Sequence, residues 1–241
     1  MDSFLATELS YVDRDLTYAK ERHFNFEHGG HVSILQDISH VGGTIWDASV
    51  VLSHYLDSLG PATLSGKSMV EIGAGTALPS IVGARLGMDV VATDMQDVLH
   101  HTDAAIHRNC DKTCIRSQEL VWGSRGVGLD ALLSSTDSAV PCKGYDYIVG
   151  ADIVYNDAHF MELQETLLAL SGMGTASVVL VCFEQRRRDL TAFWESFKPH
   201  FDMARLSTPM LDKCREDVNV FMYKLTRKPH ATLADESTTT K

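Results

Sequence analysis

Hydrophobic and polar positions alternate in two different ways along this chain, and the alternation predicts its fold class. From Ser68 onward, short apolar runs are separated by longer stretches in which apolar residues recur at helical spacing. The apolar runs predict strands at residues 68–72, 89–93, 116–121, 145–151, 177–183, 201–206 and 218–225. The stretches between them predict helices at residues 76–86, 96–109, 158–170 and 188–199.

This succession of strands and helices is typical of an α/β protein. A strand–helix–strand unit places its strands parallel in one sheet, and the helices cover both faces of that sheet. The last two predicted strands, 201–206 and 218–225, have no long helix predicted between them, so we expect an antiparallel pair there. The sequence therefore predicts a seven-stranded, mostly parallel sheet with helices on both faces and an antiparallel edge hairpin.

Two further elements are predicted before the first strand of this sheet. Alternating runs at 24–28 and 31–35 flank Gly29-Gly30 and predict a β-hairpin. Residues 44–56 have helical spacing, and Gly60-Pro61 ends that helix. We therefore divide the chain into an N-terminal extension with the hairpin at 1–42, a folded domain at 43–226 and a polar tail at 227–241 that is expected to be disordered.

Composition and charge narrow the classes of partner. The 241 residues carry a formal net charge of −11 and have no long basic run, so nucleic acid, which is bound by clustered cations, is not expected as a partner. We expect no membrane association either, because no apolar run approaches the length of a span and the N-terminus does not resemble a signal peptide. The five irregularly spaced cysteines favour reduced thiols in the cytoplasm, with the nucleus as a second compartment. His107, Cys110 and Cys114 match no zinc spacing, so no metal is predicted.

The strongest chemical signal is a glycine turn with an acid on each side. Glu71 ends the first strand of the predicted sheet, and Gly73, Ala74 and Gly75 follow it directly. Glycines at such a turn let the backbone approach a ligand closely, and ligands of open α/β sheets bind outside the carboxyl ends of the strands. Asp94 ends the next strand, at about the interval where an acid meets ribose hydroxyls in nucleotide-binding folds.

Simpler interpretations of these residues remain open. The glycines could form a tight turn and nothing more, and Asp94 could cap the following helix. The turn alone also does not separate NAD from S-adenosylmethionine. The dinucleotide fingerprint has a third glycine that allows close packing of helix and strand, and Leu78 occupies that position here. This substitution weakens the NAD interpretation.

The turn resembles motif I of the class I, seven-β-strand S-adenosylmethionine-dependent methyltransferases, which have a Rossmann-like fold. The resemblance extends from about residue 24 to 225 and is greatest to the non-histone protein-lysine methyltransferases, including the enzymes that act on valosin-containing protein and on the heat-shock chaperone. The matching stretches are Gly43-Thr-Ile-Trp-Asp-Ala48, Glu71-Ile-Gly-Ala-Gly-Thr76, Thr93-Asp94, Leu120-Val-Trp-Gly123, Gly150-Ala-Asp-Ile-Val-Tyr155 and Phe183-Glu-Gln-Arg186. Their order and spacing together are specific, whereas any single stretch would be a weak match.

The resemblance implies a role for each of several residues. Trp46 and the turn from Gly73 to Gly75 would enclose the methionine end of the cofactor, Asp94 would hold the ribose, and Trp122 would pack beside the adenine. Ala151 and Asp152 would lie near the transferable methyl group. Core packing is the alternative for either tryptophan. The family usually has a third glycine where this chain has Ala77, which puts cofactor affinity in doubt.

Asp152 and Tyr155 are the predicted catalytic residues, because the family pattern at this point is an acid, two residues and an aromatic residue. A carboxylate orients a lysine ammonium, and a tyrosine ring holds it by cation–π contact. Methyl transfer needs the neutral amine, yet free lysine has a pKa near 10.4. An acid favours the charged form, so we assign Asp152 to positioning more than to deprotonation. A loop acid that caps the next helix is the alternative for Asp152.

The sequence therefore predicts a protein-lysine N-methyltransferase that uses S-adenosylmethionine and acts on a non-histone protein, with a chaperone or an AAA-type ATPase as the expected kind of substrate. One alternative is a methyltransferase that acts on a small molecule or on another protein residue. A second is a cofactor-binding interaction module without turnover. A third is an NAD-dependent oxidoreductase. The adjacent His100 and His101 have no partner that the sequence identifies, and we expect them on a solvated helix face.

Overall fold

The computed structural model describes residues 16–111, 114–134, 144–172, 177–186 and 189–228. Several predictions therefore lie outside the described residues: the absence of a signal peptide before residue 16, the tail after residue 228, and Cys142. The chain is built around one seven-stranded sheet and a separate two-stranded sheet. Among the described residues, no helix is both long enough and apolar enough to cross a bilayer.

The large sheet has the strand order β5-β4-β3-β6-β7-β9-β8. Its strands are β3 (Ser68–Ile72), β4 (Asp89–Asp94), β5 (Ile115–Glu119), β6 (Tyr147–Ala151), β7 (Val178–Glu184), β8 (Phe201–Arg205) and β9 (Val220–Arg227). The first five are parallel, whereas β9 runs antiparallel between β7 and β8. The predicted fold class, an α/β and Rossmann-like sheet that is mostly parallel, is confirmed.

Helices lie on both faces of this sheet, as predicted. They are α1 (Asp47–Leu59), α2 (Pro61–Leu64), α3 (Leu78–Arg85), α4 (Leu99–Asn109), α5 (Leu129–Leu133), α6 (Phe160–Leu170), α7 (Thr191–Phe197) and α8 (Pro209–Val218). Buried side chains of α1, α3, α4 and α8 form one hydrophobic core, and those of α5, α6 and α7 form a second. The short helices α2 and α5 were not predicted, because four or five residues are too few for a periodic pattern.

The sheet changes direction beside β3, and this change determines where a ligand can bind. The chain runs outward from β3 through β4 to β5, then returns to the other side of β3 and continues through β6 to β7. Adjacent parallel strands that leave in opposite directions open a crevice beyond their carboxyl ends. Glu71, Asp94 and Ala151 lie at or near the carboxyl ends of β3, β4 and β6.

The predicted N-terminal hairpin is present as β1 (Glu21–Phe26) and β2 (Gly30–Leu35), which pair antiparallel. Its apolar side chains belong to the first hydrophobic core. The turn is fixed by Asp57 on α1, whose carboxylate accepts the backbone N–H groups of Glu27, His28 and Gly29 at 2.8–3.0 Å. The hairpin is therefore packed onto the domain, and the domain boundaries given above remain predictions.

The prediction of no long helix between the last two strands was wrong. Helix α8 spans Pro209–Val218 between β8 and β9. Its local signals are clear: Thr208 accepts the N–H of Leu211 as an N-cap, Pro209 occupies the first turn, and Asn219 ends the helix in a left-handed conformation. The antiparallel pairing of β8 with β9 at the sheet edge is confirmed, but a helix and not a tight turn connects the two strands.

Candidate active site

The glycine turn follows β3 and leads into α3. Gly73 and Gly75 have φ values of +64° and +51°, which favour glycine. A Cβ on Gly73 would lie 2.9 Å from Cγ2 of Ile153, and a Cβ on Gly75 would lie 2.9 Å from the carbonyl oxygen of Gly42. Both glycines are therefore required by backbone conformation and by close packing, in addition to any ligand.

Asp94 holds this turn from the end of β4. Its Oδ2 accepts the backbone N–H of Gly75 at 2.8 Å, and its Oδ1 accepts that of Met95. Burial raises the pKa of Asp94, while the hydrogen bonds from Gly75 and Met95 oppose that rise. Asp94 lines the cavity described below, so its remaining lone pairs can accept ribose hydroxyl groups. The alternative that Asp94 caps the following helix is wrong, because Val98 is the N-cap of α4 and no side chain accepts a capping hydrogen bond there. The ribose role remains a prediction.

Glu71 anchors the start of α3 from beneath the turn. Its Oε2 accepts both the backbone N–H and the hydroxyl of Ser80, at 3.0 and 2.5 Å. Burial raises the pKa of Glu71 to about 8, although the Ser80 hydrogen bonds favour the charged form. The side chain is 1% exposed, yet it contributes to the cavity wall. A cationic ligand group beside it would favour the ionised form.

A loop between β2 and α1 closes over the glycine turn. Gly42 touches Gly75, and the indole Nε1 of Trp46 donates to the carbonyl of Val41 at 3.1 Å. The half-buried Trp46 lies at the N-cap position of α1. Both Trp46 and Gly42 line the cavity. Trp46 therefore shares one cavity with the glycine turn, and its role at the methionine end of the cofactor remains a prediction.

The turn, this loop and the ends of β4 and β6 enclose a cavity of about 350 Å³. Five acids line it, and no lysine or arginine is among the described residues that do so: the acids are Glu71, Asp94, Asp97, Asp152 and Glu162. A lining with this charge suits a cation better than the pyrophosphate of a dinucleotide. S-adenosylmethionine carries a sulfonium and an ammonium group, so the residues present fit it.

Three apolar residues in the cavity lining suit an adenine ring. Leu120, Val121 and Trp122 follow β5 and line the cavity. Glu162 on α6 also lines it, and its Oε2 is buried without a hydrogen-bond partner among the described residues. An amino donor on a bound ligand would satisfy that oxygen. The role of Trp122 beside the adenine remains a prediction, and Glu162 is an addition that the sequence did not indicate.

Ala77 does not enlarge or fill this cavity. It is fully buried, has φ +55° and precedes α3, whereas the neighbouring Thr76 does line the cavity. A left-handed conformation costs a residue with a Cβ about 1–2 kcal/mol. The methyl group of Ala77 therefore adds backbone strain but does not line the cavity. The crowding of the cofactor that the sequence suggested is not seen.

Asp152 follows β6 and is held in place by β7 and the segment after it. Its backbone has φ +55°, and its side chain is 6% exposed. Oδ1 accepts the N–H of Glu184 at 3.0 Å, and Oδ2 accepts Nη2 of Arg186 at 2.9 Å. Burial raises the pKa of Asp152, and the Arg186 guanidinium opposes that rise. Asp152 and Ala151 both line the cavity, but the sequence did not indicate the pairing with Arg186.

Tyr155 lines the same cavity and is 46% exposed. Burial raises the pKa of the phenol, and the charge of Asp94 acts in the same direction. The structure thus brings Asp152 and Tyr155 into one cavity with the glycine turn. Their catalytic roles remain predictions.

The sequence missed a histidine cluster at the rim. Asp37, His40 and His101 have potential ligand atoms within 4.8 Å of one another, and His40 and His101 line the cavity. His101 packs against His100 and His40, and its Nε2 is buried without a hydrogen-bond partner among the described residues. The expectation of a solvated helix face was therefore wrong for His101, which the loop before α1 covers.

Solved structures share this architecture. The T. thermophilus 16S rRNA N2 G1207 methyltransferase (RsmC), in complex with AdoMet and guanosine, aligns with a TM-score of 0.52 and 16% identity over 87% of this chain. This chain covers 51% of that structure, so it spans about half its length. P. horikoshii TYW2 in complex with MeSAdo aligns with a TM-score of 0.51 over 86% of this chain and 71% of that one, at 14% identity. At these identities the likeness shows the fold.

Sequence relatives are closer. The protein N-lysine methyltransferase METTL21A of Danio rerio is 37% identical over 174 residues, which cover 68% of this chain and 74% of the relative. METTL21A of Xenopus tropicalis is 32% identical over 82% of this chain and 85% of its own length. The protein-lysine methyltransferase METTL21E of Mus musculus is 30% identical over 84% and 79%. A family model described as lysine methyltransferase matches residues 29–200, and the chain therefore belongs to the lysine methyltransferase family.

Proposed function

We propose that this protein transfers a methyl group from S-adenosylmethionine to the ε-amino group of a lysine in a non-histone protein. The observation that carries the proposal is the single cavity that joins the glycine turn to Asp152 and Tyr155. The five acids in its lining suit a cationic adenosyl compound, and Tyr155 is 46% exposed, so an acceptor can approach it from solvent. Membership of the family and its similarity to protein-lysine methyltransferases support lysine as the acceptor.

The mechanism follows from where these residues lie. Bound in the cavity, S-adenosylmethionine would supply an electrophilic methyl group that the neutral amine would accept, with S-adenosylhomocysteine as the second product. Gly73 to Gly75, Asp94 and Trp122 position the adenosyl compound, while Tyr155 and Asp152 position the amine opposite the methyl group. The amine gives up its proton to solvent before it attacks. Alignment of the reacting groups is expected to supply most of the rate.

The surroundings of the cavity favour a protein as the acceptor. Four residues at its rim are apolar or aromatic and at least two-fifths exposed: Val41, Met95, Val121 and Tyr155. Exposed apolar groups around a cleft are typical of surfaces that bind another protein. The net charge of −11 favours a segment rich in basic residues. We propose a chaperone or an AAA-type ATPase as the substrate, and the cytoplasm, with the nucleus as a second compartment, as the location.

Incubation of an undialysed cell lysate with the cofactor labelled in its methyl group tests this function. We expect label in protein, and acid hydrolysis should recover it as methyl-lysine. Asp152→Ala is the control and should lose the label while still binding the cofactor. Label in a small molecule or in another amino acid would favour the broader methyltransferase alternative. Tight cofactor binding without any transfer would favour the interaction module.

A further inference from the structure

Arg186 contacts three side chains, those of Asp152, Glu184 and Trp46, close to the site proposed for the target lysine. Its Nη2 lies 2.9 Å from Oδ2 of Asp152 and 2.9 Å from Oε2 of Glu184. Its Cζ lies 5.0 Å from the centroid of the Trp46 ring. The arginine is therefore held by two carboxylates and an aromatic face at once, although it is 40% exposed and does not itself line the cavity.

These contacts of Arg186 affect the protonation state of the target lysine, on which the proposed reaction depends. The target lysine arrives as an ammonium ion, and only its neutral form can accept a methyl group. A buried carboxylate beside the amine stabilises the ammonium form and so delays loss of the proton. Asp152 is 6% exposed at its side chain and Glu184 is 24% exposed. Without compensation, these two acids would hold the lysine charged.

The guanidinium offsets half of the charge that causes this effect. Two carboxylates with one guanidinium carry a net charge of −1 in place of −2, and the planar fork of arginine can bridge both acids at fixed distances. The pairing also leaves Asp152 oriented by the backbone N–H of Glu184. The acid can then position the amine through a free lone pair without holding its proton firmly.

We propose that Arg186 is a positioning residue that compensates the charge of Asp152 and Glu184, so that the target lysine gives up its proton close to neutral pH. This inference rests on the proposed function, because it concerns the acceptor amine of the same reaction. It assigns a part in catalysis to the Glu184–Gln185–Arg186 segment, where β7 ends. This part is separate from those of the glycine turn and of the Asp152–Tyr155 pair.

The pH dependence of the rate must be assigned to the target lysine and not to other titratable groups near Asp152. Asp94, Tyr155, His159 and Glu162 line the same cavity, and the thiol of Cys182 lies on β7 under Asp152. Burial and the charge of Asp152 raise the pKa of that thiol well above its ordinary value. Glu71 also lines the cavity, and burial raises its pKa to about 8, so it titrates between pH 7.5 and 10. Glu71 is present in the wild type and in every variant of Arg186, so the difference between their profiles follows the amine.

The experiment compares pH profiles of Arg186→Met and the wild-type protein. Initial rates of label transfer from S-adenosylmethionine to lysine in a dialysed cell lysate are measured between pH 7.5 and 10. We expect the apparent pKa of the rate to rise by about one unit or more in Arg186→Met. The rate at pH 7.5 should therefore fall about tenfold, and most of it should return by pH 10. Arg186→Lys keeps a positive charge and should show a smaller shift.

Arg227→Met is the matched control, because Arg227 also stacks on an aromatic ring, Phe201, but lies on β9 away from Asp152. Its profile should match that of the wild type, and melting curves verify that each variant is folded. A uniform loss of rate at every pH would show a structural role only and overturn the inference. A higher rate of Arg186→Met at pH 7.5 would do so too, since it would mean that the arginine blocks the site. If the wild type labels no lysine, the proposed function itself fails.

Discussion

The carboxylate of Asp94 accepts the backbone N–H of Gly75 at 2.8 Å. The acid that ends β4 therefore fixes the loop that follows the neighbouring strand, β3. The register of the sheet makes this possible, because Ile72 of β3 pairs with Thr93 of β4 and both strands end at the same level. Thr102 on α4 donates to the carbonyl of Gly75 at 2.7 Å and holds the other side of that residue. The cofactor turn is therefore organised before any ligand arrives.

Asp94→Asn should weaken both the turn and cofactor binding. An amide offers one acceptor oxygen, so the N–H of Gly75 or of Met95 loses its partner, and the charge that accepts ribose hydroxyls is lost. A hydrogen bond to a charged group contributes about 1.5–3 kcal/mol, which corresponds to a loss of affinity of about 12-fold to 150-fold. Calorimetric titration with S-adenosylhomocysteine, the demethylated form of the cofactor, measures it.

Asp89→Asn provides the control for this change, because Asp89 lies at the opposite end of the same strand. It should leave the affinity for S-adenosylhomocysteine unchanged. Equal affinity of the Asp94→Asn and wild-type proteins would contradict the assigned role of Asp94.

The glycine turn and its acids could be predicted from sequence because their signals are local. A strand that ends in Glu71, two glycines and a second strand that ends in Asp94 place these groups together in any parallel arrangement of adjacent strands. The helix α8 could also have been found, since Thr208-Pro209 is a local start signal. Its polar composition concealed the apolar stripe of Leu211, Cys214 and Val218.

Arg186 and Glu162 could not be assigned in the same way. Arg186 lies 34 residues after Asp152 and reaches it only because β6 and β7 are adjacent in the sheet. The resemblance included Arg186 in a matching stretch but gave it no partner. Glu162 stands on a helix whose rotation about its axis is fixed by packing. Such contacts depend on the tertiary arrangement, which spacing along the chain does not specify.

Ala77→Gly should stabilise the protein without changing cofactor affinity. Ala77 has φ +55°, and glycine adopts that conformation without steric cost. The relief of about 1–2 kcal/mol exceeds the added flexibility of the unfolded chain, so we expect a net gain of about 0.5–1 kcal/mol. Urea denaturation measures the gain, and titration with S-adenosylhomocysteine should give an unchanged affinity because Ala77 does not line the cavity.

Ala84→Gly tests whether the sign depends on conformation. Ala84 is a buried residue inside α3, where glycine is about 0.5–1 kcal/mol less favourable than alanine. The two changes therefore add the same flexibility to the unfolded chain but should shift stability in opposite directions. A loss of stability in Ala77→Gly would show that its methyl group packs more favourably than its backbone conformation costs.

Glu71→Gln should change how stability depends on pH in the absence of cofactor. The pKa of Glu71 is raised from 4.5 to about 8 by burial. Between these values the folded protein keeps a proton that the unfolded chain releases, so this residue lowers stability by about 1.4 kcal/mol per pH unit as the pH rises. The effect is absent below about pH 4.5 and complete above about pH 8. Glutamine removes it and still accepts the Ser80 hydrogen bonds.

Thermal melting at several pH values between 5 and 9 measures this difference. The melting temperature of Glu71→Gln minus that of the wild type should grow from pH 5 to pH 8 and then level off. Glu216→Gln, at an exposed position on α8, should give a difference that does not vary in this way. A constant difference for Glu71→Gln would mean that Glu71 is already ionised in the folded protein at pH 5.

Trp122→Ala and Trp194→Ala should separate cofactor binding from stability. Trp122 lines the cavity, whereas Trp194 packs against Phe183 and stacks on Tyr223 beside the second core. Stacking of a base on an aromatic side chain contributes about 1–3 kcal/mol. Trp122→Ala should therefore weaken the binding of S-adenosylhomocysteine about 5-fold to 150-fold, with a small change in melting temperature. Trp194→Ala should lower the melting temperature and leave the affinity of the folded protein unchanged. The reverse result, with affinity lost only in Trp194→Ala, would place the adenine elsewhere.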